Sequence, residues 1–198
     1  SRWGASDEAG ASNLITPEKV LDAVKWIREG RIYRIGRVYE AGMPLFGARA
    51  FAVRIPGSPT GGPFGQNKLV YHDEFISTEI GQVGTQFDGL GHMGIEHRYY
   101  NGLKAEDFVA PTGLTKLSVD ALPPIVTRGV LLDMAKHFGK PILNAGTAIN
   151  RADILTAAVA QGVTIGKGDV VLFHTGWLNL VGDDDIRFMA GEPGLGLD

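Results

Sequence analysis

Two short apolar runs in the second half of the chain, separated by a capped helix, restrict the fold more than any other feature. Residues 130–132 and residues 170–173 have the length and composition of buried strands. Between them, Asn150 followed three residues later by Asp153 is typical of a helix capping arrangement, and Gly162 suits the end of that helix. Strands with interspersed helices indicate an α/β or α+β domain.

The first half of the sequence predicts one more helix and several strands. Thr16, Pro17 and Glu18 form a helix start, since they supply a cap, a fixed φ and an acid at the positive end of the helix dipole. Residues 51–55 and residues 69–80 have strand-like composition. We therefore expect the first half to be rich in sheet.

The domain organisation predicted from length is simple. The 198 residues fit a single domain, residues 1–198. Residues 42–65 are dense in Gly and Pro, and such a long irregular stretch is more often a functional loop than filler, so it suits an interface or a lid. Residues 191–198 resemble a loop that leads into further structure, from which we expect the chain to be truncated at its C-terminal end.

Composition and charge exclude several classes of function. The formal net charge is −3 with mixed signs, which does not indicate a nucleic-acid-binding protein. The chain has no cysteine, so disulfides, thiolate metal sites and a cysteine nucleophile are excluded. Apolar stretches of membrane-spanning length are absent from the sequence. We expect a cytoplasmic protein that acts on a small molecule, without nucleic-acid or membrane partners.

The segment from residue 79 to residue 94 carries the densest set of chemically useful side chains. Gln82, Gln86 and Asp88 fall at even spacing, so in a strand all three would point to the same face. Four glycines between residues 84 and 94 allow sharp turns and close approach of a ligand to the backbone. His92 follows after such a turn and could reach the same pocket.

This segment resembles the motif of the cyclase family, the kynurenine-formamidase-like metal-dependent hydrolases, which is His-x-Gly-Thr-His-x-Asp-x-Pro-x-His. The chain matches the motif at Gly84, Thr85, Asp88 and His92. Gln82 and Gln86 stand where the family has two histidines, and Leu90 stands where it has proline; the likeness continues at Arg2-Trp3-Gly4, at Asp7, Glu8, Gly10 and Asn13, and at His174-Thr175-Gly176-Trp177. The resemblance implies a swivelling β/β/α domain that forms homo-oligomers.

The resemblance also implies a mechanism, in which metal-activated water attacks an amide, lactam or lactone carbonyl and His92 transfers the proton. Asp88, Gln82 and Gln86 would be the metal ligands, with Mn²⁺ or Zn²⁺ as the usual ions. Amide oxygens are weak, hard ligands that favour Mn²⁺, Mg²⁺ or Ca²⁺ over Zn²⁺, so two alternatives stay open. The protein holds a weakened metal, or it works without metal through Asp88 and His92.

Two further alternatives concern the reaction itself. The loss of both family histidines favours a degenerate member that binds a small carbonyl compound without turnover. An isomerase or dehydratase that uses His92 as a lone base would instead keep its activity in the presence of a chelator.

Six more residues are candidates for contact with substrate. Ligand pockets are mostly apolar with a few polar groups, and core packing or solvent exposure is the alternative for each residue. The candidates are Trp3, Phe46, Phe64, His97, His174 and Trp177.

Overall fold

A computed structural model describes residues 1–57 and 61–198, and its helices and strands are short. The α-helices are α1 (Pro17–Val24), α2 (Ala105–Phe108), α3 (Met134–His137), α4 (Arg151–Ala160) and α5 (Asp185–Met189). The strands are β1 (Phe51–Arg54), β2 (Gly61–Phe64), β3 (Leu69–Tyr71), β4 (Phe75–Thr78), β5 (Val109–Ala110), β6 (Gly113–Leu114), β7 (Gly129–Asp133), β8 (Ala148–Ile149), β9 (Val170–His174) and β10 (Gly194–Leu195). Single 3₁₀ turns span Gly10–Leu14, Tyr100–Gly102, Val119–Ala121 and Trp177–Leu180. This mixture of small sheets and helices confirms the predicted α/β class.

The chain divides into two compact units. The first unit contains Ser1–Tyr33, Phe87–Trp177 and Pro193–Asp198, and the second contains Arg34–Gln86 and Leu178–Glu192. Assignment of residues 1–198 to a single domain stays a prediction.

The core of the first unit is built on a parallel pair of strands. β7 pairs with β9 in register from Gly129 opposite Val170 to Asp133 opposite His174. Side chains alternate along β7, so Val130 and Leu132 are buried while Leu131 between them is 57% exposed. The buried cluster consists of Val130, Leu132, Met134, Leu143, Ile149, Ala157 and Ala158. Both predicted strands are confirmed. Only one face of this two-stranded sheet packs against the buried cluster.

The helix between these strands is confirmed together with its cap. Asn150 N donates to Asp153 Oδ2 at 3.0 Å, which satisfies a backbone donor that the helix itself leaves without a partner. α4 ends at Ala160, two residues before Gly162, whose φ is +66°. Ala157 and Ala158 place this helix against the core because their small side chains allow close packing.

The predicted N-terminal helix is confirmed at its start. Thr16 Oγ1 accepts a hydrogen bond from Lys19 N at 3.3 Å, as the sequence indicated. α1 ends at Val24 because the next three backbone N–H groups bond to carbonyls three residues back, which winds residues 25–27 into tighter turns. Its apolar face is not buried, since Leu21 is 67% exposed and Val24 is 55% exposed.

The second unit contains two antiparallel pairs. β1 pairs with β4, and β2 pairs with β3. The predicted strands at residues 51–55 and 69–80 are therefore confirmed, the latter as two strands. Of the Gly- and Pro-rich region 42–65, residues 58–60 lie outside the described residues.

None of the helices in residues 1–57 and 61–198 combines the length and the apolar character needed to cross a lipid bilayer.

Candidate functional site

Residues 88–92, which we term the Asp88–His92 turn, fold tightly against the backbone of Leu117. Gly91 N donates to Leu117 O at 3.1 Å, and His92 N donates to Gly89 O at 3.1 Å. A Cβ atom on Gly91 would lie 2.7 Å from Leu114 Cδ1 and 3.1 Å from Leu117 O, and one on Gly89 would lie 3.2 Å from the same oxygen. A side chain at either position would therefore force its neighbours, including the Leu117 carbonyl, to move.

Asp88 and His92 face one another across this turn. Asp88 Oδ2 and His92 Nε2 are 3.8 Å apart, which exceeds the range of a direct hydrogen bond. The two side chains are 39% and 38% exposed, so solvent reaches both of them. Catalytic hydrogen bonds are often long in the unliganded enzyme and shorten when substrate binds. The spacing leaves the imidazole accessible for proton transfer.

Asp88 also lies in the wall of a cavity of about 280 Å³ within the first unit. Most of the wall is aliphatic or aromatic, and its residues are Ala9, Ala11, Ser12, Leu14, Ile15, Phe87, Asp88, Gly89, Leu90, Leu122, Ile125, Gly168, Asp169 and Val170. An apolar protein cavity of about 150 Å³ is enough to bind benzene. The cavity beside Asp88 is thus large enough for a small ring with a substituent.

The negative charge of the second carboxylate in the cavity wall, Asp169, is compensated by neighbouring cations. Its side chain is fully buried, forms an ion pair with Lys19, and lies 3.4 Å from the Arg128 guanidinium. Burial alone raises the pKa of Asp169, but the hydrogen bond from Lys19, with the Gly166 N–H at 2.7 Å, brings it below its ordinary value. Asp169, which directly precedes β9, therefore anchors α1 to the pair formed by β7 and β9. Asp88 is the carboxylate of this wall that pairs with a histidine.

The two glutamines of the motif do not lie on a strand, contrary to the prediction. Gln82 has φ +61°, a left-handed conformation that a strand cannot contain, and residues 81–85 form turns and bends. The Gln82 backbone N–H donates to Gln86 Oε1 instead. Even spacing of polar residues resembled a strand, but this local side-chain-to-backbone bond competes with sheet formation.

Gly84 and Thr85 of the same motif serve packing in the second unit. A Cβ atom on Gly84 would lie 2.6 Å from Tyr39 Cζ. Tyr39 Oη donates to Thr85 O at 2.6 Å, and Arg37 N donates to Thr85 Oγ1 at 2.7 Å. Both positions thus support the packing of residues 37–39.

One of the predicted metal ligands takes part in a local hydrogen bond. Gln86 Oε1, one of the three ligand atoms, accepts a hydrogen bond from the backbone of Gln82. Across the described parts of the chain, no three His, Cys, Asp or Glu residues are grouped so that they could hold a metal ion. Binding of Mn²⁺ or Zn²⁺ by Asp88, Gln82 and Gln86 stays a prediction that has no support from this donor set.

The four aromatic candidates for substrate contact occupy different environments. In the first unit, the Arg2 guanidinium lies 4.1 Å from the centre of the Trp3 ring, and Trp177 is almost fully buried. In the second unit, Phe46 packs on Phe188 with ring centres 5.2 Å apart, and Phe64 is half exposed.

The two histidine candidates lie in separate parts of the first unit. His97 lines a polar crevice of about 320 Å³ together with charged side chains such as Glu96 and Lys104. His174 Nδ1 lies 3.0 Å from Asp133 Oδ1 at the carboxyl ends of the two parallel strands. Among the described residues that line the Asp88 cavity, none is one of the six candidates. Their contact with substrate stays a prediction.

Asp133 and His174, which we term the strand-end pair, are bound more closely than Asp88 and His92. Asp133 Oδ1 also accepts a hydrogen bond from Lys136 N at 2.9 Å and so caps α3. The hydrogen bond from His174, followed by that from Lys136 N, holds the pKa of Asp133 below its ordinary value.

Sequence reasoning missed most of the cavity. Leu14 and Ile15 come from one stretch of chain and Leu122 and Ile125 from another, and a single sequence carries no signal that brings them together.

Comparison with known proteins identifies relatives of the chain. The family model described as "Putative cyclase" matches residues 33–198. A crystal structure described as that of a novel cyclase is similar over 100% of this chain and 70% of its own, with a TM-score of 0.86 and 28% sequence identity. Among curated proteins, none matches the chain significantly.

Proposed function

Because the chain belongs to the cyclase family, we propose that it is an enzyme that hydrolyses a C–N or C–O bond in a small amide, lactam or lactone, in the manner of an arylformamidase. His92 is the proposed acid and base, and Asp88 is its partner. The observation that carries the proposal is that Asp88 lies next to both a cavity and a histidine. This carboxylate lines an apolar cavity and lies 3.8 Å from the His92 imidazole.

The cavity supports a substrate with an apolar ring. Its wall is mainly aliphatic and aromatic, and the charge of Asp169 is compensated by Lys19 and Arg128. A buried apolar surface favours an uncharged ring, while Asp88 supplies a polar group at the edge where the carbonyl would lie.

The proposed reaction uses water as nucleophile. His92 takes a proton from water as the oxygen attacks the carbonyl carbon, and it then gives this proton to the leaving nitrogen or oxygen as the bond to carbon breaks. Asp88 faces Nε2 of His92, which leaves Nδ1 for the proton transfer, and its negative charge stabilises the imidazolium. An open-chain amide gives a carboxylic acid and an amine, whereas a lactam or lactone opens to one molecule that carries the acid together with the amine or alcohol. The proposed mechanism follows the metal-free alternative, in which Asp88 and His92 carry out the proton transfers.

A binding protein without turnover is the second candidate function. It is favoured by the hydrogen bond between Gln82 and Gln86, since these residues stand where the family has histidines and bond to one another. Such a protein would hold a small carbonyl compound in the same cavity.

Hydrolysis of a substrate panel tests the proposal. Formanilide, δ-valerolactam and γ-butyrolactone would be incubated with protein dialysed against EDTA, with metal content measured by elemental mass spectrometry and products by liquid chromatography. We expect turnover of at least one compound by protein that contains less than stoichiometric metal. Saturable binding without product would favour the second candidate. Activity that disappears with EDTA and returns with Mn²⁺ or Zn²⁺ would contradict the metal-free mechanism.

We also propose that the protein is a cytoplasmic homo-oligomer. Apolar side chains in and after α1 support this assembly, since Leu21, Val24, Trp26 and Ile27 are each more than half exposed. Sedimentation analysis of the wild type and of Leu21→Asp would test it. A monomer at all concentrations would contradict the proposed assembly.

A further inference from the structure

The peptide backbone of Leu117 is held from two sides. On one side, Leu117 N donates a hydrogen bond to Glu8 Oε2 at 2.6 Å. On the other, Leu117 O accepts the hydrogen bond from Gly91 N at 3.1 Å, within the Asp88–His92 turn. Glu8 is thus linked to the turn that contains His92 through one residue, although the two lie more than eighty positions apart in sequence.

Leu117 needs this support because its backbone is strained. Its φ is +57°, a left-handed conformation that is uncommon for a residue other than glycine, and its side chain is fully buried. Such a conformation persists only where the surrounding structure enforces it. A hydrogen bond to an ionised carboxylate is stronger than one between neutral groups, which makes Glu8 an effective anchor for this peptide.

We propose that Glu8 is a positioning residue that keeps His92 at its working distance from Asp88 by fixing Leu117. The inference rests on the proposed function of the turn. Cβ atoms placed on Gly89 and Gly91 would lie 3.2 Å and 3.1 Å from Leu117 O, so this carbonyl is in close contact with both ends of the turn. A shift of Leu117 therefore displaces the backbone that carries Asp88 and His92.

The neighbouring carboxylate, Asp7, provides a matched control because it binds elsewhere. Asp7 Oδ2 accepts hydrogen bonds from Tyr100 Oη at 2.6 Å and from Gly10 N at 3.0 Å. The Tyr100 hydrogen bond is the main cause that lowers the pKa of Asp7 to about 2. Asp7 thus fastens the N-terminal segment to Tyr100, whereas Glu8 reaches Leu117.

Three variants separate positioning from general support of the fold. Glu8→Asp keeps the charge but withdraws the carboxylate by one methylene group, Glu8→Gln keeps an acceptor oxygen at full length, and Asp7→Ala removes the neighbouring anchor. For each variant we would measure kcat and KM on the best substrate of the panel, the melting temperature, and the imidazole signal of His92 by NMR.

We expect Glu8→Asp to lower kcat about tenfold with KM changed less than about twofold, because misplacement of a catalytic group slows the reaction without weakening binding. Its His92 signal should shift or broaden. Glu8→Gln should restore kcat to within about threefold of the wild type, since the amide oxygen still accepts from Leu117 N. Asp7→Ala should lower the melting temperature while the His92 signal and kcat stay near those of the wild type.

The inference is overturned if Glu8→Asp leaves kcat and the His92 signal unchanged, or if Asp7→Ala changes both as strongly as Glu8→Asp does. A Glu8→Gln variant as impaired as Glu8→Asp would also overturn it. If the wild type hydrolyses no member of the panel, the proposed function fails by itself. The NMR signal of His92 then decides the positioning role alone, and an unchanged signal in Glu8→Asp rejects it.

Discussion

The Asp88–His92 turn and the strand-end pair contain the same two residue types in opposite circumstances. Asp133 and His174 are 3.0 Å apart, at the ends of two paired strands, and Asp133 also caps a helix. Asp88 and His92 are 3.8 Å apart on a glycine-rich turn, and Asp88 lines a cavity. The strand-end carboxylate thus caps a helix, whereas Asp88 lies in the wall of a cavity.

The difference shows why an Asp and a His in proximity do not by themselves define an active site. A carboxylate that accepts hydrogen bonds from both a histidine and a helix N-terminus contributes to local structure. A carboxylate beside an apolar cavity, with a histidine at a longer distance, can respond to a ligand. The following predictions separate the two regions.

The largest expected effect is on activity, after removal of each carboxylate. Asp88→Asn should lower kcat/KM by on the order of 100-fold, because His92 loses the anion that stabilises its protonated form. The matched variant Asp133→Asn should change kcat/KM by less than about threefold. Steady-state kinetics on the best substrate of the panel would measure both. Equal losses would remove the distinction between the two regions.

A smaller effect is expected on stability when a methyl group is added to each region. Gly91→Ala should lower the free energy of unfolding by about 1–3 kcal/mol, because its Cβ would lie 2.7 Å from Leu114 Cδ1 and 3.1 Å from Leu117 O. Gly129→Ala at the start of β7 is the control, since its Cβ would make an ordinary contact of 3.7 Å with Leu172 Cδ1. Urea unfolding of both variants gives the comparison. A Gly91→Ala variant as stable as the wild type would mean that the turn is loosely packed.

The smallest effect concerns the acid dependence of the strand-end pair. The pKa of Asp133 is lower in the folded protein than in the unfolded chain, where it is about 4. The ionised carboxylate therefore stabilises the fold above the unfolded pKa, and this stabilisation is lost as the pH falls through the folded pKa. Because Asp133 is partly exposed, the contribution should not exceed about 1 kcal/mol. The difference in unfolding free energy between wild type and Asp133→Asn should shrink as the pH falls below about 5. If the difference in unfolding free energy between the two proteins stays constant with pH, ionisation of Asp133 does not contribute to it.

The sequence predicted those parts of the fold that depend on local signals. The cap at Asn150 and Asp153, the helix start at Thr16, and the apolar strands at residues 130–132 and 170–173 are all present. Each of these features depends on residues within a few positions of one another, so a single sequence contains the necessary information.

The candidate site was predicted only in part for the same physical reason. The distance between Asp88 and His92 depends on a glycine turn, which the sequence indicated. The support of that turn by Leu117 and Glu8 depends on contacts between distant segments. The interpretation of Gln82 and Gln86 as strand residues failed because a left-handed backbone at Gln82 has no signature in the spacing of polar side chains.

The most direct test of the account is the turnover number of two histidine variants, His92→Asn and His174→Asn, on the same substrate. If His92 is the acid and base, kcat should fall about 10²- to 10⁴-fold in His92→Asn. In His174→Asn kcat should stay within about threefold of the wild type, and any contact of His174 with substrate should appear in KM. A kcat that survives in His92→Asn, or that falls as far in His174→Asn, would contradict the assignment of the chemistry to the Asp88–His92 turn.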